Sequence, residues 1–329
     1  MKAIAELVGV TVVVSVVLLA GCGGGGGGWA PTAQFIVFES DRDGGLGWND
    51  IYLYNRATAQ LVALPGINST LSDSDPAISA NGRFIVFESD RMGPPGVPDL
   101  YLYDRSTAQL LALPNLNSTD SDEDADISPD GRYIVFQSMR NGGQGLSDIY
   151  FYDRNAAQLV ALPGLNSADY DQSPALSEDA RFIAFGSNRP GGEGGRDIYL
   201  YDRNTAQLVA LPDINSADDD GDPDISADGR FIVFESERFD DDCDDSVCLY
   251  DRQRGAGEMV GLPSINSADD DDRDPSISRD GRYICFHSDR GRDEGDYDVY
   301  MYDRTTDSFV ALPGLNLGDS GDVGPNATQ

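Results

Sequence analysis

Short apolar runs recur along the chain at a fixed distance, each bounded by Gly, Asp or Asn. The central phrase occurs six times: FIVFESDR from Phe35, FIVFESDR from Phe84, YIVFQSMR from Tyr133, FIAFGSNR from Phe182, FIVFESER from Phe231 and YICFHSDR from Tyr283. The spacings are 49, 49, 49, 49 and 52 residues, long enough for four short strands and their turns. In the second copy, Pro76–Ser79 predicts a first strand and Asn81-Gly82 a tight turn. Arg83–Ser89 predicts a second strand, Asp99–Asp104 a third and Gln109–Leu113 a fourth. The second strand reads FIVF without polar alternation, so both of its faces must be covered. Six four-stranded antiparallel units packed face to face predict an all-β, six-bladed β-propeller over residues 29–325. The first blade lacks an evident first strand. Either Trp29-Ala30 or Asp322–Gln329 is expected to supply it and close the ring.

Composition sharpens this reading. The 329 residues carry 57 acidic against 23 basic side chains, a net charge of −34, with Lys2 as the sole lysine. Such a surface excludes a nucleic-acid partner, which needs a basic face. It suits cations, basic partners or a heavily hydrated exterior. Asp outnumbers Glu 47 to 10, which places the acidity in loops and turns and disfavours helix.

The first 21 residues show a lysine, an apolar run from Leu7 to Ala20 and a small-residue end, the pattern of a secretory signal too short to span a membrane. Leu19-Ala20-Gly21-Cys22 resembles the bacterial lipobox, which implies cleavage before Cys22 and a lipid on that cysteine. Gly23–Gly28 then form a tether. In an oxidising compartment Cys243 and Cys248, five residues apart, are expected to form a disulfide, with Cys285 a buried thiol.

The phrases DPDISADGRFIVFESER and SDIYFYDR resemble the WD-like repeat of the TolB-like propellers of the bacterial envelope. The resemblance covers nearly all of the chain after the tether. It implies an envelope propeller acting as a monomeric scaffold for an envelope protein or polymer, which the lipobox-like segment places as a lipoprotein at the periplasmic face of the outer membrane, a departure from the soluble TolB. The small N-terminal domain of TolB has no counterpart between Cys22 and Trp29.

Two sets of loops should open on one face: those from second to third strand and those from blade to blade. The former keep seven residues but change content: DGGLGWN, MGPPGVP, NGGQGLS, PGGEGGR, FDDDCDD and GRDEGDY. Trp48, Arg196 and Tyr297 are therefore candidate partner contacts, the alternative being plain solvated tips. The blade-to-blade loops carry acids at alternating positions: Asp120, Asp122 and Asp124; Asp169 and Asp171; Asp218, Asp220 and Asp222; Asp270, Asp272 and Asp274. They resemble half of a calcium loop. Turn capping by Asp is the competing explanation, and the sixth-position glycine and distal glutamate of an EF-hand are missing.

Two arginine series, Arg42, Arg91, Arg140, Arg189, Arg238, Arg290 and Arg56, Arg105, Arg154, Arg203, Arg252, Arg304, are expected to pair with Asp and hold blade ends. One histidine, His287, and no nucleophile elbow argue against an enzyme. A calcium-binding structural or adhesive module is the second functional expectation, and a carbohydrate-active propeller enzyme a third.

Overall fold

A computed structural model describes residues 34–42, 45–94, 96–238, 245–254, 257–266, 270–291 and 297–316. The signal segment, Cys22, the tether and both proposed ring-closing segments lie outside them.

Every described element is a strand, and the strands form six antiparallel sheets in chain order. Five blades have four strands, and the first shows three among the described residues. The innermost strands are Asp73–Ile78, Asp122–Ile127, Asp171–Leu176, Asp220–Ile225 and Asp272–Ile277. The second strands are Phe35–Ser40, Phe84–Ser89, Tyr133–Ser138, Phe182–Ser187, Phe231–Ser236 and Tyr283–Ser288. The third begin at Asp50, Asp99, Asp148, Asp197, Ser246 and Asp298, and the short outermost strands at Gln60, Gln109, Gln158, Gln207, Glu258 and Ser308.

The core is six separate sandwiches between neighbouring blades. Val37, Ile51 and Leu53 of blade 1 pack on Ile78, Ile85 and Phe87 of blade 2, and the last joint sets Ile36, Phe38 and Tyr54 against Cys285, Met301 and Leu315. This explains the unalternated FIVF: each of its faces meets a different blade, and Ile85, Val86 and Phe87 are all fully buried.

The joints are also clasped by polar contacts. The first arginine series reaches the preceding blade at every joint: Arg91 Nη2 donates to the Ile67 carbonyl at 2.6 Å, and Arg42 Nη2 closes the ring on Leu315 at 3.2 Å. In blades 2 to 6 these arginines also pair with the aspartate that opens the innermost strand, as Arg189 does with Asp171 at 2.6 Å. The second series departs from expectation. Arg105, Arg154, Arg203, Arg252 and Arg304 donate to turn carbonyls instead of carboxylates. They lie over aromatic rings of the preceding blade, as Arg304 does over Phe231 at 4.1 Å. The Asp at the end of the third strand is taken by a third series, Arg83, Arg132, Arg181, Arg230 and Arg282, through two-pronged contacts to Asp104, Asp153, Asp202, Asp251 and Asp303.

The expected first strand begins three residues earlier, at Asp73 instead of Pro76. All five innermost strands shift register by a bulge, between Ser74 and Ala77 in blade 2. The third residue of each strand takes a left-handed conformation: Asp75, Asp124, Ser173, Asp222 and Asp274 have φ of 44–49°, which Asp tolerates better than most side chains. A bulge re-aims the side chain it carries, and here it aims five of them at the axis.

The Cys243–Cys248 disulfide is corrected on its described side: Cys248 is a free thiol, 3% exposed, within the third strand of blade 5. It occupies the place of Tyr101 or Tyr150 in other blades and packs with Ile198, Ile214 and Phe234. Cys243 lies outside the described residues. Cys285 is a free buried thiol.

Candidate binding channel

The bulged residues meet around the propeller axis. Ser173 Oγ donates to Asp222 Oδ1 at 2.6 Å and lies 3.5 Å from Asp124 Oδ2, linking three blades. Behind this ring stand the fifth residues of the second strands: Glu39, Glu88, Gln137, Gly186, Glu235 and His287. Four of them accept from the backbone of the next blade. Glu39 bonds the Asp75 amide at 3.0 Å, Glu88 that of Asp124 at 2.6 Å, Gln137 that of Ser173 at 3.1 Å and Glu235 that of Asp274 at 3.2 Å.

Two trios of carboxylates result, three blades apart. Asp75, Glu88 and Asp124 form one between blades 2 and 3; Asp222, Glu235 and Asp274 form the other between blades 5 and 6. Within each, one oxygen per residue lies within 4.8 Å of the others. Burial, with Glu123 and Asp222 nearby, pushes Asp75 up to about 6. Burial and the neighbouring carboxylates push Glu88 and Asp124 well above the usual range, and Glu235 and Asp274 likewise.

The trios differ in their cations. Arg196 reaches into the second, with Nη2 3.0 Å from Asp222 and 3.5 Å from Glu235. Two glycines make room for it: a Cβ on Gly221 would lie 2.0 Å from the guanidinium carbon, and one on Gly186 would lie 3.2 Å from Cδ. Arg273 adds positive charge there, pairing with Asp245 and Asp271. Among the described residues, no arginine pairs with Asp75, Glu88 or Asp124.

Deeper in the channel, Asp126 and Asp224 accept from the Leu176 and Ile277 amides of the following blades. Burial raises them to about 6 and about 8. At the far end Arg279 of blade 6 reaches Glu178 of blade 4 at 2.7 Å, and a backbone chain joins Glu178, Ala227 and Arg279. That end is the floor, and the mouth lies on the variable-loop face.

The alternating acids of one lead-in do not converge with each other. Asp122, Asp171 and Asp220 are fully buried, one oxygen on arginine and the other on a serine amide. Asp272 is held by Arg290. Asp120, Asp169, Asp218 and Asp270 stay at the rim. Only Asp124, Asp222 and Asp274 enter trios, with partners from other strands and blades. Trp48 stands out into solvent at 73% exposure. Arg196 and Tyr297 turn inward instead: the Tyr297 hydroxyl donates to Asp271 at 3.0 Å, and its ring meets His287 edge-on. His287 is buried beside Asp274, with its Nδ1 unpaired and 3.5 Å from the carboxylate. Burial and Arg273 hold it down at about 3, so the imidazole is neutral.

The constant loop length also has a cause. The aspartate opening the third strand gathers the loop amides: Asp148 accepts from Gln144 and Gly145, and Asp50 from Leu46 and Gly47. An asparagine in every blade-to-blade segment, Asn68 to Asn316, brackets the N–H and C=O of one third-strand residue. Sequence reasoning passed over these asparagines, although they recur at the period of the blades.

No protein-family profile and no curated protein matches the sequence. Solved structures do. TolB from Acinetobacter baumannii superimposes with a TM-score of 0.61 at 19% identity, over 81% of this chain and 59% of that one. The putative TolB from Agrobacterium tumefaciens gives 0.60 at 19% identity, over 79% and 86%. The fold is that of the TolB propeller. This chain spans 59% of the length of the Acinetobacter protein. Oligogalacturonate lyase from Vibrio parahaemolyticus is also similar, with a TM-score of 0.55 at 14% identity over 87% of this chain and 77% of that one. A TolB-like propeller is thus a frame shared with an enzyme, and its task must be argued from its own residues.

Proposed function

We propose that this TolB-like propeller is a non-enzymatic binding scaffold of the cell envelope, tethered by lipid at Cys22, that receives a cationic ligand at its acidic channel mouth. The observation that carries this reading is the trio Asp75, Glu88 and Asp124, three converging carboxylates, Glu88 buried and the other two half-buried, with no arginine among the described residues against them. Burying charge without a partner is unfavourable, so a positive group from outside gains the whole of that relief. Catalysis has less support: the single imidazole is buried and neutral. The lead-in acids favour a second reading, in which calcium fills the trio and stiffens the face, since hard oxygen donors suit that ion.

Thermal unfolding of the chain from Trp29 onward tests the first reading. Cationic ligands, whether calcium or guanidinium-bearing peptides, should raise Tm at matched ionic strength by mass action, and Asp75→Asn with Asp124→Asn should abolish the rise. Equal responses to sodium and to these ligands would overturn it.

A further inference from the structure

Among the described residues, the first blade has an open inner edge. Its strands run in the order Phe35–Ser40, Asp50–Asn55 and Gln60–Leu61, so Phe35–Ser40 has no described partner on its axial side. Two buried side chains at this joint are short of a bond. Arg42 touches Ser40 and the Leu315 carbonyl as its counterparts do in their own blades, but its Nη1 is buried without a hydrogen bond. The aspartate that each counterpart holds, at the start of an innermost strand, is missing here from the described residues. His287 is the second. Glu39, Glu88, Gln137 and Glu235 each accept from the amide of the third innermost residue of the following blade, whereas His287, at the same position in blade 6, has a buried Nδ1 with no bond. Buried polar atoms without partners are costly. Together these two require an aspartate at the first position of a further strand and an N–H at its third.

The sequence after the last described residue meets both requirements. In blade 6 the innermost strand Asp272–Ile277 begins six residues after the bracketing Asn266. Six residues after Asn316 stands Asp322, and residues 322–327 read DVGPNA beside the DRDPSI, DGDPDI and DSDPAI of other innermost strands. Aspartate falls at the first position and proline at the fourth. Gly324 falls at the third, where the other strands hold φ of 44–49°, a conformation that glycine adopts readily. The N-terminal alternative fits worse: in register with blade 2, residues 24–29 read GGGGGW and offer Arg42 no aspartate. We propose that the inner edge of Phe35–Ser40 is the docking site of the chain's own residues 322–327, which pair with it as the fourth strand of blade 1. Asp322 then lies opposite Ser40 and against Arg42, as Asp73 lies opposite Ser89 and against Arg91, and the Gly324 amide bonds His287. Ala327 stands where the other innermost strands end in Ile or Leu, so the segment is held by its polar end more than by apolar burial. It also completes the channel wall between Asp274 and Asp75, and adds no carboxylate there because Gly324 takes the axial position.

This strand pairing goes beyond the binding reading and stands without it. Paired cysteines test its register in a chain from Trp29 onward that also carries Cys243→Ser. Ser40→Cys with Asp322→Cys should oxidise to an intramolecular disulfide, since the equivalent serine and aspartate side chains touch in blades 4 and 5. Moving the second cysteine, as Ser320→Cys or Asn326→Cys, should cut the yield to about a tenth or less, because a disulfide closes only across a short, defined separation. Gly324→Val should lower Tm by about 3 °C, the effect of forcing a β-branched side chain to positive φ. Gly324→Asn, which that conformation admits, should stay within about 1 °C of the parent. The same disulfide formed between two molecules gives the edge to a second copy of the chain, and capture of Ala30→Cys in place of Asp322→Cys gives it to the N-terminal segment; either result overturns the proposal. Equal yields at residues 320, 322 and 326, or a Gly324→Val chain as stable as the parent, overturn it as well.

Discussion

The two carboxylate trios of the channel are the same construction put to different use. Both combine two bulged aspartates from neighbouring blades with a glutamate from the second strand. In blades 5 and 6 the chain supplies the counter-cation itself, from a loop, through a slot left by Gly186 and Gly221. In blades 2 and 3 none of the described residues supplies one, and apolar side chains stand exposed on the loops of the same blades. A buried charge whose partner is built in is part of the frame, whereas one whose partner is absent is a demand placed on something else.

Removing Arg196 should break the contrast most strongly. Arg196→Ala leaves Asp222 and Glu235 without their ion pair and is expected to destabilise the fold by about 2 kcal/mol, discounted for partial exposure, or roughly 5 °C in Tm. It should also give the second trio the cation response of the first, visible as a doubled ligand stoichiometry in calorimetry. Gly221→Ala should act in the same direction by expelling Arg196, at about 1–2 kcal/mol. Unchanged Tm in both would mean that Arg196 is not holding the trio.

The pH dependence sharpens the comparison further. Acids whose native pKa is raised, such as Asp75 and Asp126 at about 6 and Asp224 at about 8, keep protons that the unfolded chain has lost. Stability should therefore fall as pH rises from about 4 through 8. The opposite sign holds for Asp153, Asp202 and Asp251, whose bonds to arginine lower them; their contribution is lost as pH drops below about 4. Denaturant titrations should place the stability maximum near pH 4. Asp75→Asn with Asp124→Asn should gain about 1 kcal/mol at pH 8 and flatten the descent. A flat profile in the parent protein would refute the picture of uncompensated channel acids. The smallest effect is expected from Trp48→Ser at an exposed loop position, within about 0.5 kcal/mol in stability.

The blades were legible because each of them repeats one physical problem. A second strand covered on both faces reads as an unbroken apolar run such as FIVF, and the turn that follows the innermost strand reads Asn-Gly or Asp-Gly in blades 2, 3, 5 and 6, with Ala180 at φ 52° in blade 4. The channel was less legible because it is assembled between repeats. Asp124 and Asp222 stand in runs that look like one acidic loop, but strand alternation and the bulge send successive acids to the rim, to an arginine and to the axis. The useful signal was a departure from repetition. Gly186 stands where other blades carry Glu, Gln or His, and Gly221 stands opposite Glu235 in the next blade. The same comparison would have placed Cys248 at the third position of the third strand, where the other blades carry a half-buried tyrosine.

The joint between the last blade and the first is sealed as most others are, by Arg42 on Leu315 and by the Tyr54 hydroxyl on the Pro313 carbonyl, the counterpart of Tyr103 on Pro65. Where the polypeptide happens to start is then a matter of stringing and not of architecture. A circular permutant opened in the exposed turn at Asn155, with its natural ends joined by a linker, should still unfold cooperatively. Such a molecule would carry the tether proposed at Cys22 from a different point of the ring and turn the mouth toward a different neighbour.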